Sequence, residues 1–299
     1  MAAIPQDELV LDAKNCVGES PGSVAAEQAL YWVDITAATL NRWDVASAKH
    51  QMWQAPEMLA CIAPAFQGGW AAGMQTGMFA ITAMPDGQLA ANRMANVKHA
   101  QPGMRFNDGR CDRQGRFLAG TMVMDMSLSS RAGHVYRLDA TGLTSLRNGL
   151  ITPNGMAFSP DGTTMYLSDS HPSVQQVWAF DYDTATGTPS NRRVFIDMNL
   201  FPGRPDGAAV DTDGCYWICG NDAGLIHRFT PAGKLDYSLA VPVKKPAMCA
   251  FGGAGLDTLF VTSIRPEGID LSDQPLAGGV FALRPGVRGL LEPVFQSFS

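Results

Sequence analysis

Long helices, basic clusters and membrane signals are all missing from this 299-residue sequence. No stretch combines a helical apolar period with helix caps, so we predict no long helix. No apolar run approaches the roughly 20 residues that are needed to cross a bilayer. The first residues contain neither a basic segment nor an apolar one, so we expect no signal peptide and a cytoplasmic location.

Charge is sparse as well. Charged residues make up 17% of the chain, and 22 bases against 28 acids give a formal net charge of −6. No basic run is longer than a pair such as Lys244-Lys245. Nucleic acid and anionic membrane surfaces are therefore not expected as partners. The acidic balance is compatible with a bound cation, although ordinary soluble proteins have it too.

Several catalytic signatures are also absent. The sequence contains no Gly-x-Ser-x-Gly elbow, P-loop or Rossmann fingerprint, so serine-triad hydrolysis and nucleotide chemistry have little support. The five histidines form no pair with ligand spacing, and we expect His134 and His227 to pack within strands. The six cysteines are scattered without a zinc-site spacing, which indicates reduced, buried thiols rather than disulfides.

What the sequence does contain is a long-period repeat. Strand-like runs ending in a small or polar residue begin near Leu30, Gly69, Arg116, Thr164, Cys215 and Thr258. A second run follows each of them, and most second runs end at a glycine turn. Six such units predict an all-β, six-bladed β-propeller that forms one domain over residues 1–299, with an open solenoid as the alternative. Residues 9–12 and 292–295 flank the repeats and can share a blade that closes the ring.

Polar residues stand beside a glycine at several points along the chain, and three of them carry ligand oxygens. Glu19, Asn154 and Asp206 offer two carboxylates and an amide, a set that suits Ca²⁺, Mg²⁺ or Mn²⁺ and tolerates Zn²⁺ or Fe²⁺. Together with Asn107, they are expected in loops that lead into the innermost strands and meet at one mouth of the channel. The alternative is that the Asn-Gly and Asp-Gly pairs are simple turn formers.

Arg105, Asn107 and Asp125 could hold a polyhydroxylated ligand, since planar donors and charged acceptors bind sugars. The alternative for Arg105 is a surface ion pair with Asp108 or Asp112.

Motifs along nearly the whole chain resemble those of the SMP-30/gluconolactonase/regucalcin (sugar lactonase) family. They are Gly18-Glu19-Ser20-Pro21, Tyr31-Trp32-Val33-Asp34, Arg105-Phe106-Asn107-Asp108-Gly109, Gly120-Thr121-Met122, Thr152-Pro153-Asn154-Gly155, Pro205-Asp206-Gly207 and Cys249-Ala250-Phe251-Gly252-Gly253. Each motif is weak by itself, but the order and intervals make the match specific. The resemblance implies a six-bladed propeller with one divalent cation, most commonly Ca²⁺, in its central channel.

The resemblance also implies roles for individual residues. It places the metal on Glu19, Asn154 and Asp206, and it gives substrate contacts to Arg105, Asn107 and Asp125. Three positions depart from the family pattern. Ser20 replaces a glycine, Phe106 replaces a proline and is expected to put a bulky ring near the pocket, and Asp125 is shorter than the glutamate of some members.

The predicted function is a metal-dependent lactonase that hydrolyses a sugar lactone, with Asp206 as the base that accepts a proton from water. Two alternatives are a propeller hydrolase of aryl esters or organophosphates and a calcium- or sugar-binding propeller without catalysis. A monomer is expected, because a propeller needs no partner to bury its core.

Overall fold

The computed structural model describes residues 7–296, and the regular structure in this range is almost entirely strand. Strand β1 (Asp7–Leu11) comes first. Blade one follows with β2 (Gly18–Val24), β3 (Ala29–Asp34), β4 (Thr39–Asp44) and β5 (His50–Gln54), and blade two with β6 (Leu59–Pro64), β7 (Trp70–Met74), β8 (Gly77–Ala83) and β9 (Leu89–Asn96). Blade three comprises β10 (Met104–Cys111), β11 (Phe117–Val123), β12 (Gly133–Asp139) and β13 (Gly142–Leu150).

The second half of the chain repeats this order. Blade four comprises β14 (Pro153–Phe158), β15 (Thr164–Asp169), β16 (Gln176–Asp183) and β17 (Thr188–Asp197), and blade five β18 (Arg204–Val210), β19 (Tyr216–Asn221), β20 (Leu225–Phe229) and β21 (Leu235–Ala240). Blade six contains β22 (Pro246–Gly252), β23 (Thr258–Ser263) and β24 (Val280–Leu283). The helices within the described range are short 3₁₀ turns at Ala25–Glu27, Met126–Leu128 and Met198–Leu200, and none is long and apolar enough to cross a membrane.

Six four-stranded antiparallel sheets form a ring, which confirms the predicted six-bladed propeller. The innermost strands β2, β6, β10, β14, β18 and β22 contact one another in sequence, and β22 returns to β2. Strand β1 pairs with β24, with Leu9 opposite Phe281, so the first strand completes blade six as predicted. The expectation for residues 292–295 was wrong, because the Phe295 backbone pairs with Pro64 and Phe66 beside blade two.

The repeat was visible in the sequence because the second strand of each blade is buried on both faces. In β3, Leu30 and Trp32 pack toward blade six, whereas Tyr31 and Val33 pack toward blade two. A strand covered on both sides needs a continuous apolar run rather than an alternating one. The outermost strand β5 alternates between exposed and half-buried positions, since only one face is covered.

The structure bears out the predicted state of the cysteines and two histidines. All six thiols are free, five of them are buried, and Cys16 is half-buried. His134 lies in β12 and His227 in β20, both of which are third strands of their blades.

Candidate active site

Each candidate ligand lies at a β-bulge in an innermost strand. The register with the neighbouring strand shifts after Glu19 in β2, after Asn154 in β14 and after Pro205 in β18. A bulge leaves a residue out of the ladder and re-aims its side chain. The expectation of ligands in loops before these strands was therefore wrong, and so was the alternative of simple turns, because the prolines and glycines of these motifs belong to bulged strands.

The bulges bring the predicted side chains together. Glu19, Asn154 and Asp206 line one open cavity of about 220 Å³ at the end of the ring where the innermost strands begin. Each of these three residues is less than a tenth exposed. Arg105 and Asn107 line the same cavity, so residues from blades one, three, four and five converge there.

A chain of hydrogen bonds orients the amide of Asn154. Asn107 Nδ2 donates to Asn154 Oδ1 at 2.8 Å and to the Pro153 carbonyl at 3.0 Å. Asn154 Nδ2 in turn donates to Ser170 Oγ at 2.8 Å. Because both ends of the amide are held, its carbonyl oxygen has a fixed position and keeps a second lone pair for a ligand.

Arg105 belongs to this network rather than to a surface ion pair. Its Nη1 donates to the Phe106 carbonyl at 2.7 Å and to Asn107 Oδ1 at 2.8 Å. Asp112 pairs instead with Arg116, and Asp108 accepts from the Met156 backbone N–H. The alternative proposed from the sequence for Arg105 is thus wrong, and its guanidinium faces the cavity.

The two carboxylates are held more loosely than the amide. Asp206 Oδ2 accepts from Asn221 Nδ2 at 2.7 Å, and Glu19 Oε2 accepts from the Ser20 backbone N–H at 3.3 Å. Among the described residues, these hydrogen bonds engage one oxygen of each carboxylate. The other oxygen of each remains available to a ligand.

The carboxylates repel each other in a buried setting. Burial raises the pKa of Glu19 well above its usual value, and the charges of Asp206 and Asp108 raise it further. Burial also raises the pKa of Asp206, although Arg204 and the hydrogen bond from Asn221 lower it. Burial lowers the pKa of Arg105 to about 10 against the opposing effect of Glu19. A bound cation would relieve this repulsion.

The donors at this site fit a hard divalent cation. Two carboxylates and an amide carbonyl are the oxygen ligands that such cations prefer. Within residues 7–296, no group of three or more His, Cys, Asp and Glu side chains is placed to hold a metal. The amide of Asn154 would therefore be needed as the third protein ligand.

Asp125 lies apart from the other predicted residues. It is exposed and does not line the cavity. Its carboxylate caps the 3₁₀ turn Met126–Leu128 by accepting from the backbone N–H of Ser127 at 3.0 Å and from its hydroxyl at 2.5 Å. Met126, one residue further on, does line the cavity, so Asp125 is close to the rim in sequence.

Ser20, which departs from the family pattern, joins blades one and two. Its φ of 51° lies in the left-handed region that favours glycine. Its hydroxyl donates to the Ile62 carbonyl at 3.3 Å and accepts from the Ile62 N–H at 2.9 Å. These two bonds offset the backbone strain beside the candidate ligand Glu19.

Removing the Ser20 hydroxyl should destabilise the fold. We expect Ser20→Ala to lower the free energy of unfolding by about 1–3 kcal/mol, because it loses both bonds and keeps the strained φ. Ser20→Gly loses the same bonds but relieves a strain of about 1–2 kcal/mol, so it should be the milder change. Urea unfolding of the three proteins measures this, and equal losses in both variants would show that the backbone strain is negligible.

Phe106, the second departure, fills the core instead of the pocket. Its side chain is fully buried, does not line the cavity, and meets the rings of His99 and Tyr136 edge-on at 6.4 Å and 6.2 Å. The expected ring near the pocket was therefore wrong. The bulge turns Asn107 toward the cavity and leaves Phe106 facing the interior between blades.

Several cavity residues were not predicted as site residues, and four of them bear on the argument below. They are Ser170, Arg204, Asn221 and Lys245. Ser170 and Asn221 stand at the ends of second strands, where the repeat places a small or polar residue, and this was the signal that could have found them. Arg204 and Lys245 stand directly before the Pro of an innermost strand, and their common position becomes apparent only once the blades are assembled.

Comparison with known proteins identifies the family. A sequence profile of the SMP-30/Gluconolactonase/LRE-like region matches residues 17–265. The chain belongs to the SMP-30/gluconolactonase/LRE-like family. A 6-deoxy-6-sulfogluconolactonase of Pseudomonas putida is 38% identical over 96% of this chain and 97% of its own length. Regucalcin of Danio rerio is 33% identical over 95% of this chain and 96% of its own length.

A solved structure of this family has the same fold. The regucalcin of Agrobacterium tumefaciens, described as a calcium-binding protein, superposes with a TM-score of 0.89 at 28% identity and covers 97% of each chain. Membership in the family confirms the resemblance that the motifs indicated.

Proposed function

We propose that this protein is a metal-dependent sugar lactonase that opens an aldonolactone to the corresponding sugar acid. The observation that carries the proposal is the convergence of two buried carboxylates, one oriented amide and Arg105 in a single open cavity. The reaction class follows from the relatives, one of which is a lactonase of a substituted gluconolactone.

The proposed cofactor is one divalent cation held by Glu19, Asn154 and Asp206. Ca²⁺ is the first choice, because the ligands are hard oxygens and a regucalcin of the same fold is described as calcium-binding. Mg²⁺, Mn²⁺, Zn²⁺ and Fe²⁺ are compatible with the same donors. When bound, such a cation supplies Lewis acidity toward a carbonyl oxygen.

Asp206 is the proposed base. Its Oδ2 is held by Asn221, so Oδ1 is the atom that accepts a proton from water. The water oxygen bonds to the lactone carbonyl carbon, the ring C–O bond breaks, and the proton passes to the departing ring oxygen as a hydroxyl. Burial raises the pKa of Asp206 in the metal-free protein, and a bound cation would lower it again, so at neutral pH the carboxylate is ionised and can accept a proton.

Substrate binding is assigned to Arg105, Asn107 and Asp125. Arg105 uses Nη1 within the protein, so Nη2 and Nε are left for substrate hydroxyls. Asn107 uses its Nδ2 on Pro153 and Asn154 and accepts from Arg105 at Oδ1, so the second lone pair of Oδ1 is left for a substrate hydroxyl. Asp125 would approach the substrate from the rim.

The proposal also includes the cellular location and the oligomeric state of the enzyme. We place it in the cytoplasm, since none of its six thiols is paired in a disulfide. We propose a monomer, because the closed ring buries its own core.

A substrate panel with and without a chelator tests the proposed function. We expect gluconolactone or a pentonolactone to be hydrolysed, turnover to stop on chelation, and Ca²⁺ to restore it. Chelation should also lower Tm, because a ligand at 100 times its Kd stabilises the folded state by about 2.7 kcal/mol. An Asp206→Asn variant is the control, since its Tm should respond far less to the chelator.

Other outcomes of the panel would contradict the proposal. Metal binding without turnover of any lactone would identify a non-catalytic binding protein. Faster turnover of an aryl ester or an organophosphate than of every lactone would identify a different hydrolase.

A further inference from the structure

Two cationic side chains line the rim of the candidate active site from adjacent blades. Arg204 begins β18 in blade five, and Lys245 immediately precedes β22 in blade six. Both line the cavity, and each side chain is about a quarter exposed. Neither has a part in the proposed hydrolysis, so their position needs another explanation.

One carboxylate lies between these two cations. Arg204 Nε contacts Asp222 Oδ2 at 2.6 Å, and Lys245 Nζ contacts the other oxygen, Oδ1. Although burial raises the pKa of Asp222, hydrogen bonds from both cations lower it overall, so the carboxylate stays ionised. Two positive charges against one negative charge leave the rim with a net charge of +1.

The free end of Arg204 faces the interior of the cavity. Nη1 is 3.4 Å from the Ser170 carbonyl, and Nη2 is 3.4 Å from Asn221 Oδ1. These are long, weak contacts, so the two groups can turn to a stronger acceptor. Ser170 and Asn221 are also the residues that hold Asn154 and Asp206. The guanidinium therefore lies one residue away from two of the candidate metal ligands.

We propose that Arg204 and Lys245 form an anion subsite, which selects lactones with a sulfonate, phosphate or carboxylate group distant from the ester carbonyl. This inference rests on the proposed lactonase function and narrows its substrate class. The name of the Pseudomonas putida relative, a 6-deoxy-6-sulfogluconolactonase, provides one such substrate.

The arrangement of charges determines the orientation of the substrate in the cavity. With a divalent cation bound, Glu19 and Asp206 add no net charge at the inner end of the cavity, whereas the rim cations attract an anion. A guanidinium presents a planar fork to a tetrahedral anion, and the ammonium of Lys245 adds a point charge beside it. A lactone with its carbonyl at the inner end and its anion at the rim satisfies both ends. An uncharged lactone leaves the rim cations with Asp222 alone.

The first test compares lactones that differ in charge. We expect kcat/KM for 6-deoxy-6-sulfogluconolactone to exceed that for gluconolactone by about 10- to 100-fold, the range for hydrogen bonds to charged groups. This preference should shrink at high ionic strength, because partly exposed charges are screened. The same measurement with 6-phosphogluconolactone, which carries a phosphate, and with a glucarolactone, which carries a carboxylate, identifies the preferred anion. Equal kcat/KM for charged and uncharged lactones would overturn the subsite.

Substitutions test whether Arg204 and Lys245 cause the preference for charged lactones. Lys245→Gln and Arg204→Gln should each reduce kcat/KM for the sulfonated lactone at least about 10-fold more than for gluconolactone. Asp222→Asn keeps the shape of the rim and removes its negative charge, so the preference should be retained or increase. The matched control is Lys234→Gln, an exposed lysine beyond β20 at the opposite end of blade five. Equal losses of kcat/KM for both lactones would show that Arg204 and Lys245 form only a structural ion-pair network.

A binding measurement separates this inference from the proposed function. Calorimetric titration of the sulfonated sugar acid into the metal-loaded protein should show binding that weakens about 10-fold or more in Lys245→Gln. If no lactone is hydrolysed but this binding is seen, the lactonase proposal fails and the anion subsite stands. If lactones are hydrolysed but the acid binds wild type and Lys245→Gln equally, the subsite fails and the lactonase stands.

Discussion

Replacing Asp206 should abolish lactone hydrolysis without harming the fold. We expect Asp206→Asn to lower kcat by about 10²- to 10⁴-fold, the usual contribution of a positioned base, and Asp206→Ala to lower it at least as far. The amide of the Asn variant can still accept from Asn221 Nδ2, which now reaches Asp206 Oδ2 at 2.7 Å. The shape of the cavity is therefore preserved while the charge is lost.

The stability of these variants distinguishes lost chemistry from lost structure. Burial and neighbouring charges raise the pKa values of both Asp206 and Glu19, so the ionised pair opposes folding when no metal is bound. At neutral pH, metal-free Asp206→Asn should thus unfold at a Tm no lower than that of metal-free wild type. Asp86→Asn, in an exposed turn after β8, serves as the control with normal turnover. Near-normal turnover of gluconolactone by Asp206→Asn would remove Asp206 from the mechanism.

The propeller was predictable because its blades repeat a burial pattern that shows in the sequence. Trp32-Val33 in β3 and Trp217-Ile218 in β19 are fully buried because blades cover both faces of these strands. Leu9 could be assigned to ring closure because it belongs to a short strand-like run before the first unit. Phe295 pairs with blade two through backbone groups and packs its ring against Phe117 in blade three, at a position outside the repeat that its sequence neighbours do not mark.

The candidate site was predictable in composition but not in local geometry. Glu19, Asn154 and Asp206 stood out because ligand oxygens sit inside motifs with proline and glycine. Those prolines and glycines indicated turns, and only the pairing of β14 with β15 and of β18 with β19 shows that they belong to bulges. Arg204 and Lys245 are isolated charges in sequence. Their relation arises from the contact of blade five with blade six through Asp222.

Substitutions of Asn154 should affect metal affinity and kcat differently. We expect Asn154→Asp to bind Ca²⁺ or Mg²⁺ more tightly, on the order of tenfold or about 1.4 kcal/mol, because a third carboxylate adds Coulomb attraction. The same negative charge lowers the effective positive charge at the site, so kcat should fall. Asn154→Ala removes the ligand oxygen and should weaken metal binding. Calorimetric metal titration and steady-state kinetics of the two variants measure these effects.

The surroundings of Asn154 make this comparison a clean one. Aspartate can still accept from Asn107 Nδ2, and the Ser170 hydroxyl can donate to the new oxygen where it now accepts from the amide. The hydrogen-bond chain therefore survives the change in charge. Ser170→Ala is the matched control: it frees one end of the side chain and should loosen metal binding without tightening it in either background. If Asn154→Asp and Asn154→Ala alter unfolding but leave metal affinity unchanged, Asn154 has a purely structural role at its bulge, and the metal would have to depend on Glu19 and Asp206 alone.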